Sequence, residues 1–135
     1  MRDPHEMTLH DEVIAAVVRA SATGFKALSN PGRAKQWYLA VNGERLYPDV
    51  ILFEKGGPLR HVIEVETQDT VSYQHARAQW TSYARAPARL WLLVPAGLKD
   101  EAATIARSLE LRAGIGEFWR TSDGIAFTWY TKAAA

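Results

Sequence analysis

Apolar residues at Leu9, Val13, Ala16, Val17 and Ala20 recur at the spacing that gathers side chains on one face of a helix. Thr8 stands before the run with Asp11 and Glu12 close behind, which predicts a helix capped at Thr8. The run lasts until the break at Ser29-Asn30-Pro31-Gly32. Trp37 to Val41 reads as a short strand closed by an Asn42-Gly43 turn. Asp49 to Glu54 and Arg60 to Glu66 read as two more strands around Lys55-Gly56-Gly57-Pro58, with apolar side chains on both faces. That pattern predicts strands covered on two sides. Thr70 to Ala84 reads as a second helix stopped by Pro87, and Leu90 to Val94 as a buried strand stopped by Pro95. Lys99 to Arg112 opens a third helix on two acids, and Glu117–Arg120 pairs with Ile125–Tyr130 about Ser122-Asp123-Gly124. Gly114-Ile115-Gly116 reads as a turn, and residues 133–135 as a frayed end. The order is αβββαβ followed by a helix and a β-hairpin. It predicts one α/β domain over residues 1–135, with helices against a mixed central sheet in the α+β manner.

Composition narrows the chemistry. The 135 residues include no cysteine, which excludes disulfides, thiolate zinc sites and cysteine nucleophiles and fits a reducing cytoplasm. The start of the chain is polar, with no basic-then-apolar leader, and no apolar run approaches the ~18 residues of a membrane helix. A cytoplasmic protein without a membrane partner is expected. The net charge of +1 conceals a pattern. No acid occurs from Val13 to Gly43 or from Thr70 to Lys99, while Glu44, Asp49, Glu54, Glu64, Glu66 and Asp69 crowd the middle. The two basic flanks suit a phosphate-rich partner, or are the solvated faces of helices.

A two-residue Gly56-Gly57 turn would set Asp49 opposite Glu64, where like charges repel. Strand alternation puts Glu66 on the side of Glu64. Three carboxylates then converge near an apolar sheet, and a divalent cation resolves the conflict. An all-oxygen set favours Mg²⁺ or Mn²⁺ over zinc. The alternative is that Asp49 caps a strand after Pro48, with Glu64 and Glu66 on an exposed strand end.

Pro48-Asp49, a spacer of fourteen residues, then Glu64-Val65-Glu66 resembles the signature of the PD-(D/E)XK nuclease superfamily. The element order over Thr8 to Val94 is similar to its restriction-endonuclease-like core, as in Holliday-junction resolvases. Gln79-Trp80-Thr81-Ser82-Tyr83 matches the QxxxY motif of RecB-like members. The resemblance implies a Mg²⁺- or Mn²⁺-dependent deoxyribonuclease acting in repair, recombination or defence. Asp49 and Glu64 would hold the metal with the Val65 carbonyl. Glu12 would be an additional metal-associated acid, and Glu6 a less suitable one. Gln79 and Tyr83, one helical turn apart, would face the carboxylates or a DNA phosphate. Tyr83 equally completes an apolar stripe with Tyr73, Ala76 and Trp80. Glu66 stands where the family carries lysine. It would act as ligand or base but supplies no positive charge, which Lys55, Arg60 or Arg77 would have to provide. The same departure suits an inactive nuclease-fold module that binds nucleic acid or serves in assembly.

Other chemistries find less. His5, His10, His61 and His75 show no zinc-ligand spacing, and His61 points to the strand face opposite Glu64. There is no GxSxG elbow and no GxxxxGK[ST] loop, so an ATPase or helicase partner must be another chain. Arg33 and Lys35, beside Trp37 and Tyr38, are candidate phosphate contacts with nearby aromatics, or a solvated loop with Trp37 facing the core. With Arg77 and Arg85 they form the expected DNA-binding cations. Phe118, Trp119, Phe127, Trp129 and Tyr130 either cover the core or form a homodimer contact; stacking on single-stranded bases finds no local cation beyond Arg120.

Overall fold

A computed structural model describes residues 4–32 and 35–133, with side chains through residue 130. Helix α1 spans Pro4–Ser21. It starts at proline, whose missing N–H is no loss in a first turn. Thr8 is therefore inside the helix rather than its cap, and its hydroxyl donates back to the Pro4 carbonyl at 3.0 Å. The helix stops at Ser21, and the stretch read as its continuation is a strand, β1 (Phe25–Ser29).

The strand expected at Trp37–Val41 shortens to β2 (Leu39–Val41) and pairs with β3 (Glu44–Leu46) in a separate two-stranded sheet. Their turn is the one the sequence signalled: Asn42 and Gly43 both take positive φ, at 51° and 82°. That conformation suits a tight hairpin. Val41 and Leu46 bury themselves in the core and tie this hairpin to the domain.

Strand β4 (Val50–Glu54) and β5 (Leu59–Val65) form the central hairpin. Val50, Ile51 and Leu52 face Ile63, Val62 and His61, the expected register. The loop is nevertheless longer than a two-residue turn, and a bulge between Leu52 and Phe53 absorbs the difference. A 3₁₀ turn at Gln68–Thr70 leads to α2 (Tyr73–Tyr83), whose Ser72 cap accepts the His75 N–H at 3.2 Å. Strand β6 (Arg89–Pro95) follows, then α3 (Lys99–Ser108). The third helix ends short of Arg112, where Glu110 turns to a φ of 58°.

The last two strands are β7 (Ala113–Thr121) and β8 (Gly124–Ala133). Gly114 and Gly116, expected in a turn, lie within β7 because indoles occupy their side-chain space. A Cβ on Gly114 would meet the Trp91 ring at 2.2 Å, and one on Gly116 the Trp129 ring at 2.5 Å.

The main sheet runs β1-β4-β5-β6-β7-β8. The β5–β6 and β6–β7 pairs are parallel and the rest antiparallel. It is a mixed α/β fold with three helices, and both faces of the sheet are covered. Val13, Ile14 and Val17 of α1 pack on Val50, Leu52, Ile63, Val65 and Leu93. On the opposite face Trp80 of α2 and Ala102, Ile105 and Ala106 of α3 pack on Val62, Leu90, Leu92 and Val94. Burying each large apolar side chain is worth about 1.5–3 kcal/mol, so these layers hold the strand ends in place. Among the described residues no helix is long and apolar enough to cross a membrane.

Candidate active site at the acidic end of the sheet

Strand alternation sends Ile63 and Val65 toward α1, so Glu64 points the other way, toward α2. Asp49, just before β4, sits beside it, and the two interlock through the main chain. The Asp49 N–H donates to Glu64 Oε2 at 2.8 Å, and the Val65 N–H donates to Asp49 Oδ2 at 2.8 Å. Each carboxylate thus accepts a charge-assisted bond that sets its orientation and offsets the repulsion between them.

Around this pair lies a cleft of about 300 Å³. His10 and Asn30 stand on one side of it, Gln79 and Tyr83 of α2 on another, and Lys35, Arg45 and Tyr47 complete the wall. His10, which shows no zinc-ligand spacing along the chain, is brought to the cleft by α1. It is 2% exposed, with Nε2 3.1 Å from Asp49 Oδ1 and Nδ1 3.1 Å from Asp11 Oδ1. Asp11 Oδ1 also accepts the Gly32 N–H at 2.7 Å, so α1, the following loop and Asp49 are joined through one carboxylate and one imidazole.

Asn30, unforeseen as a site residue, makes four bonds while 3% exposed. Its amide donates to the Trp37 and Pro48 carbonyls, both at 2.7 Å, and its oxygen accepts the Gln36 and Trp37 N–H groups at 3.0 and 2.9 Å. The Asn-Pro dipeptide signalled a turn. Nothing local signalled that its side chain would hold the residue before Asp49.

Gln79 and Tyr83 share the cleft face of α2, as their spacing implied. Burial first, then the charges of Glu64, Asp49 and Glu66, push the Tyr83 hydroxyl far above the usual tyrosine range. It stays protonated and donates to the Tyr47 carbonyl at 3.3 Å.

Glu66 does not join the other two carboxylates in lining the cleft. It is 1% exposed and turned into α2, with Oε1 3.0 Å from His75 Nε2 and Oε2 accepting the Trp80 indole N–H at 3.1 Å. Glu12 is also elsewhere. It forms a forked pair with Arg120 of β7 at 2.9 and 3.0 Å, and that bond holds its carboxyl below the usual glutamate range. Glu6 is half-buried on the first turn of α1 and does not line the cleft.

Of the expected phosphate contacts, Lys35 reaches the cleft, whereas Arg77 and Arg85 are exposed on and just after α2. Arg33 lies outside the described residues. Of the proposed stand-ins for the family lysine, Arg60 pairs with Glu54 at 3.0 Å near the β4–β5 loop that carries Lys55, at the far end of the hairpin. Among the described residues, the lysine and arginine that line the cleft are Lys35 and Arg45.

Asp49 and Glu64 offer hard oxygen donors of the kind magnesium prefers, while no three His, Asp or Glu side chains among the described residues form a ligand group. Magnesium is commonly held by one or two carboxylates, with water and substrate phosphate completing its shell. The pair fits that mode and does not fit a closed cage. No family model, curated protein or solved structure matches the chain.

Proposed function

We propose that the chain is a metal-dependent deoxyribonuclease of the PD-(D/E)XK type. The observation that carries the reading is the interlocked Asp49–Glu64 pair in a cleft walled by Lys35 and Arg45. The succession α1, β1, β4, β5, α2, β6 also reads αβββαβ once the β2–β3 hairpin is set aside as an insertion. The Gln79 and Tyr83 face of α2 then looks onto the carboxylates, as the QxxxY motif implies.

Asp49 and Glu64 would hold a Mg²⁺ or Mn²⁺ ion, whose chemistry there is to activate water and offset charge growing on a phosphate. The chain's own residues do the rest. Main-chain N–H groups aim both carboxylates, His10 braces Asp49 from α1, and Lys35 and Arg45 draw the strand in. With only two side-chain ligands, metal affinity without DNA is expected to be weak.

Purified protein incubated with single-stranded, duplex and branched DNA tests the reading. Cleavage with Mg²⁺ or Mn²⁺ is expected, falling on the order of a thousandfold or more in Asp49→Ala and Glu64→Ala while thermal unfolding stays cooperative. Full activity in either variant sinks the site.

A second reading rests on Glu66, whose carboxylate is committed to His75 and Trp80. With no lysine in its place, the chain is a silent module that binds nucleic acid. Binding without cleavage under both metals selects this reading.

A further inference from the structure

Next to the cleft residues Asn30, which holds the Trp37 main chain, and Arg45, which lies over Tyr38, the chain exposes two consecutive aromatic rings. Trp37 and Tyr38 are 41% and 46% exposed and adjacent in sequence, whereas the other two large exposed rings, Tyr73 and Trp119, stand alone on α2 and β7. The segment that bears them is firmly placed. Asn30 grips the Trp37 N–H and carbonyl, and β2 follows directly, anchored by buried Val41.

Tyr38 carries a cation, and a second cation lies over neighbouring Tyr47. The Arg45 guanidinium carbon lies 4.6 Å from the Tyr38 centroid, and Lys35 Nζ lies 5.7 Å from that of Tyr47. Tyr38 and Tyr47 are themselves 6.0 Å apart at a 55° tilt, and Tyr47 precedes Asp49 by two residues. Lys35, Arg45, Tyr47 and Asp49 line one cleft.

A ligand that covers exposed rings removes their apolar surface from water, and cations close by suit a ligand that alternates flat apolar faces with phosphates. A single nucleic-acid strand is such a ligand, because every base has a face to stack. A blunt duplex is not, since its bases already stack on one another.

We infer that Trp37 and Tyr38 form a stacking platform for unpaired bases, with Lys35 and Arg45 receiving the neighbouring phosphates, so that the cleft takes single-stranded DNA or frayed duplex ends. The inference rests on the reading of the cleft as a DNA site and adds the form of DNA it accepts.

The test is anisotropy of a fluorescein-labelled oligothymidylate and of a blunt duplex of equal length, with EDTA present so that cleavage plays no part. Oligothymidylate is expected to bind more tightly. Trp37→Ala with Tyr38→Ala should weaken it about tenfold or more, leaving duplex binding within about twofold. Trp37→Phe with Tyr38→Phe, which keeps the rings, should restore most of the loss. A second measurement needs no variant: 2-aminopurine within the strand should lose fluorescence on binding the native protein, as stacked bases do. Equal affinity for both DNAs, equal loss of both in the alanine variant, or unquenched 2-aminopurine overturns the platform. Quenching and binding without any cleavage under Mg²⁺ would remove the nuclease reading and leave the platform standing. Cleavage of single strands with no quenching would remove the platform alone.

Discussion

The two ends of β5 solve the same problem in opposite ways. Each places a titratable side chain against a tryptophan indole. Near the start of the strand His61 Nδ1 accepts the Trp91 N–H at 2.9 Å, and just past its end Glu66 Oε2 accepts the Trp80 N–H at 3.1 Å. His61 is only half-buried, set among the edges of Phe25 and Trp91. Burial first, then Arg89 and Arg60, lower its basicity, so the imidazole stays neutral and one bond suffices. Glu66 is enclosed, and both of its oxygens face partners on α2. A half-buried neutral ring tolerates a missing partner because water replaces it, whereas an enclosed carboxylate does not. Thus the aromatic end is a packed surface, and the acidic end is a polar assembly whose members depend on one another.

Swapping the indoles tests that asymmetry most sharply. Trp80→Phe should cost about 3 kcal/mol in denaturant unfolding, because it strands a buried carboxylate oxygen. Glu66→Gln keeps an acceptor for Trp80 and should stay within about 1.5 kcal/mol of the parent, and under the proposed nuclease reading cleavage should be largely retained. A loss of activity in Glu66→Gln as deep as that of Asp49→Ala would instead make Glu66 a ligand or base. Trp91→Phe, at the other end, should cost about 1 kcal/mol. Parity between the two tryptophan variants would erase the distinction.

The pH dependence should carry a smaller signature. Because His61 is less basic in the folded chain, only the unfolded chain takes up its proton just below the ordinary value of 6.5. Its contribution is therefore complete above that pH and is lost as pH falls toward the lower folded value. His61→Gln should flatten this part of a Tm-against-pH curve, and an unchanged slope would mean that His61 is not the group responsible. The smallest effect belongs to Glu12, which the family resemblance made a metal-associated acid. Half-exposed, paired with Arg120 and away from the cleft, it should leave any cleavage within about twofold when changed to Gln, since such surface pairs contribute little.

Most of the sheet was legible because its signals are local. The β4–β5 register followed from alternation and a glycine-rich loop, and even the unanticipated bulge left Asp49 beside Glu64. The errors fell where distant residues decide. Phe25–Ser29 resembles the tail of a helix until β4 pairs with it, and only Thr23-Gly24 hinted at the break. Glu66 alternates correctly with Glu64, yet its partners come from a helix nine and fourteen residues on. His10 became a site residue because α1 carries it to the start of β4, a proximity no spacing along the chain encodes.

One consequence lies in how sequences of this fold can vary. The spaces above Gly114 and Gly116 belong to Trp91 and Trp129, so each glycine and its indole form a single volume shared by two positions. On Gly116 a side chain would also meet the Thr128 carbonyl at 2.7 Å, and main chain cannot rotate away. Substitutions at 114 should therefore occur in compensating pairs with position 91, whereas Gly116 is held by main chain as well as by its indole. A chain that replaces Trp91 with a small residue is free to fill position 114, while one that keeps the indole must keep the glycine. The bare Gly-x-Gly in β7, read together with a tryptophan in β6 and another in β8, thus couples three strands through shared side-chain volume.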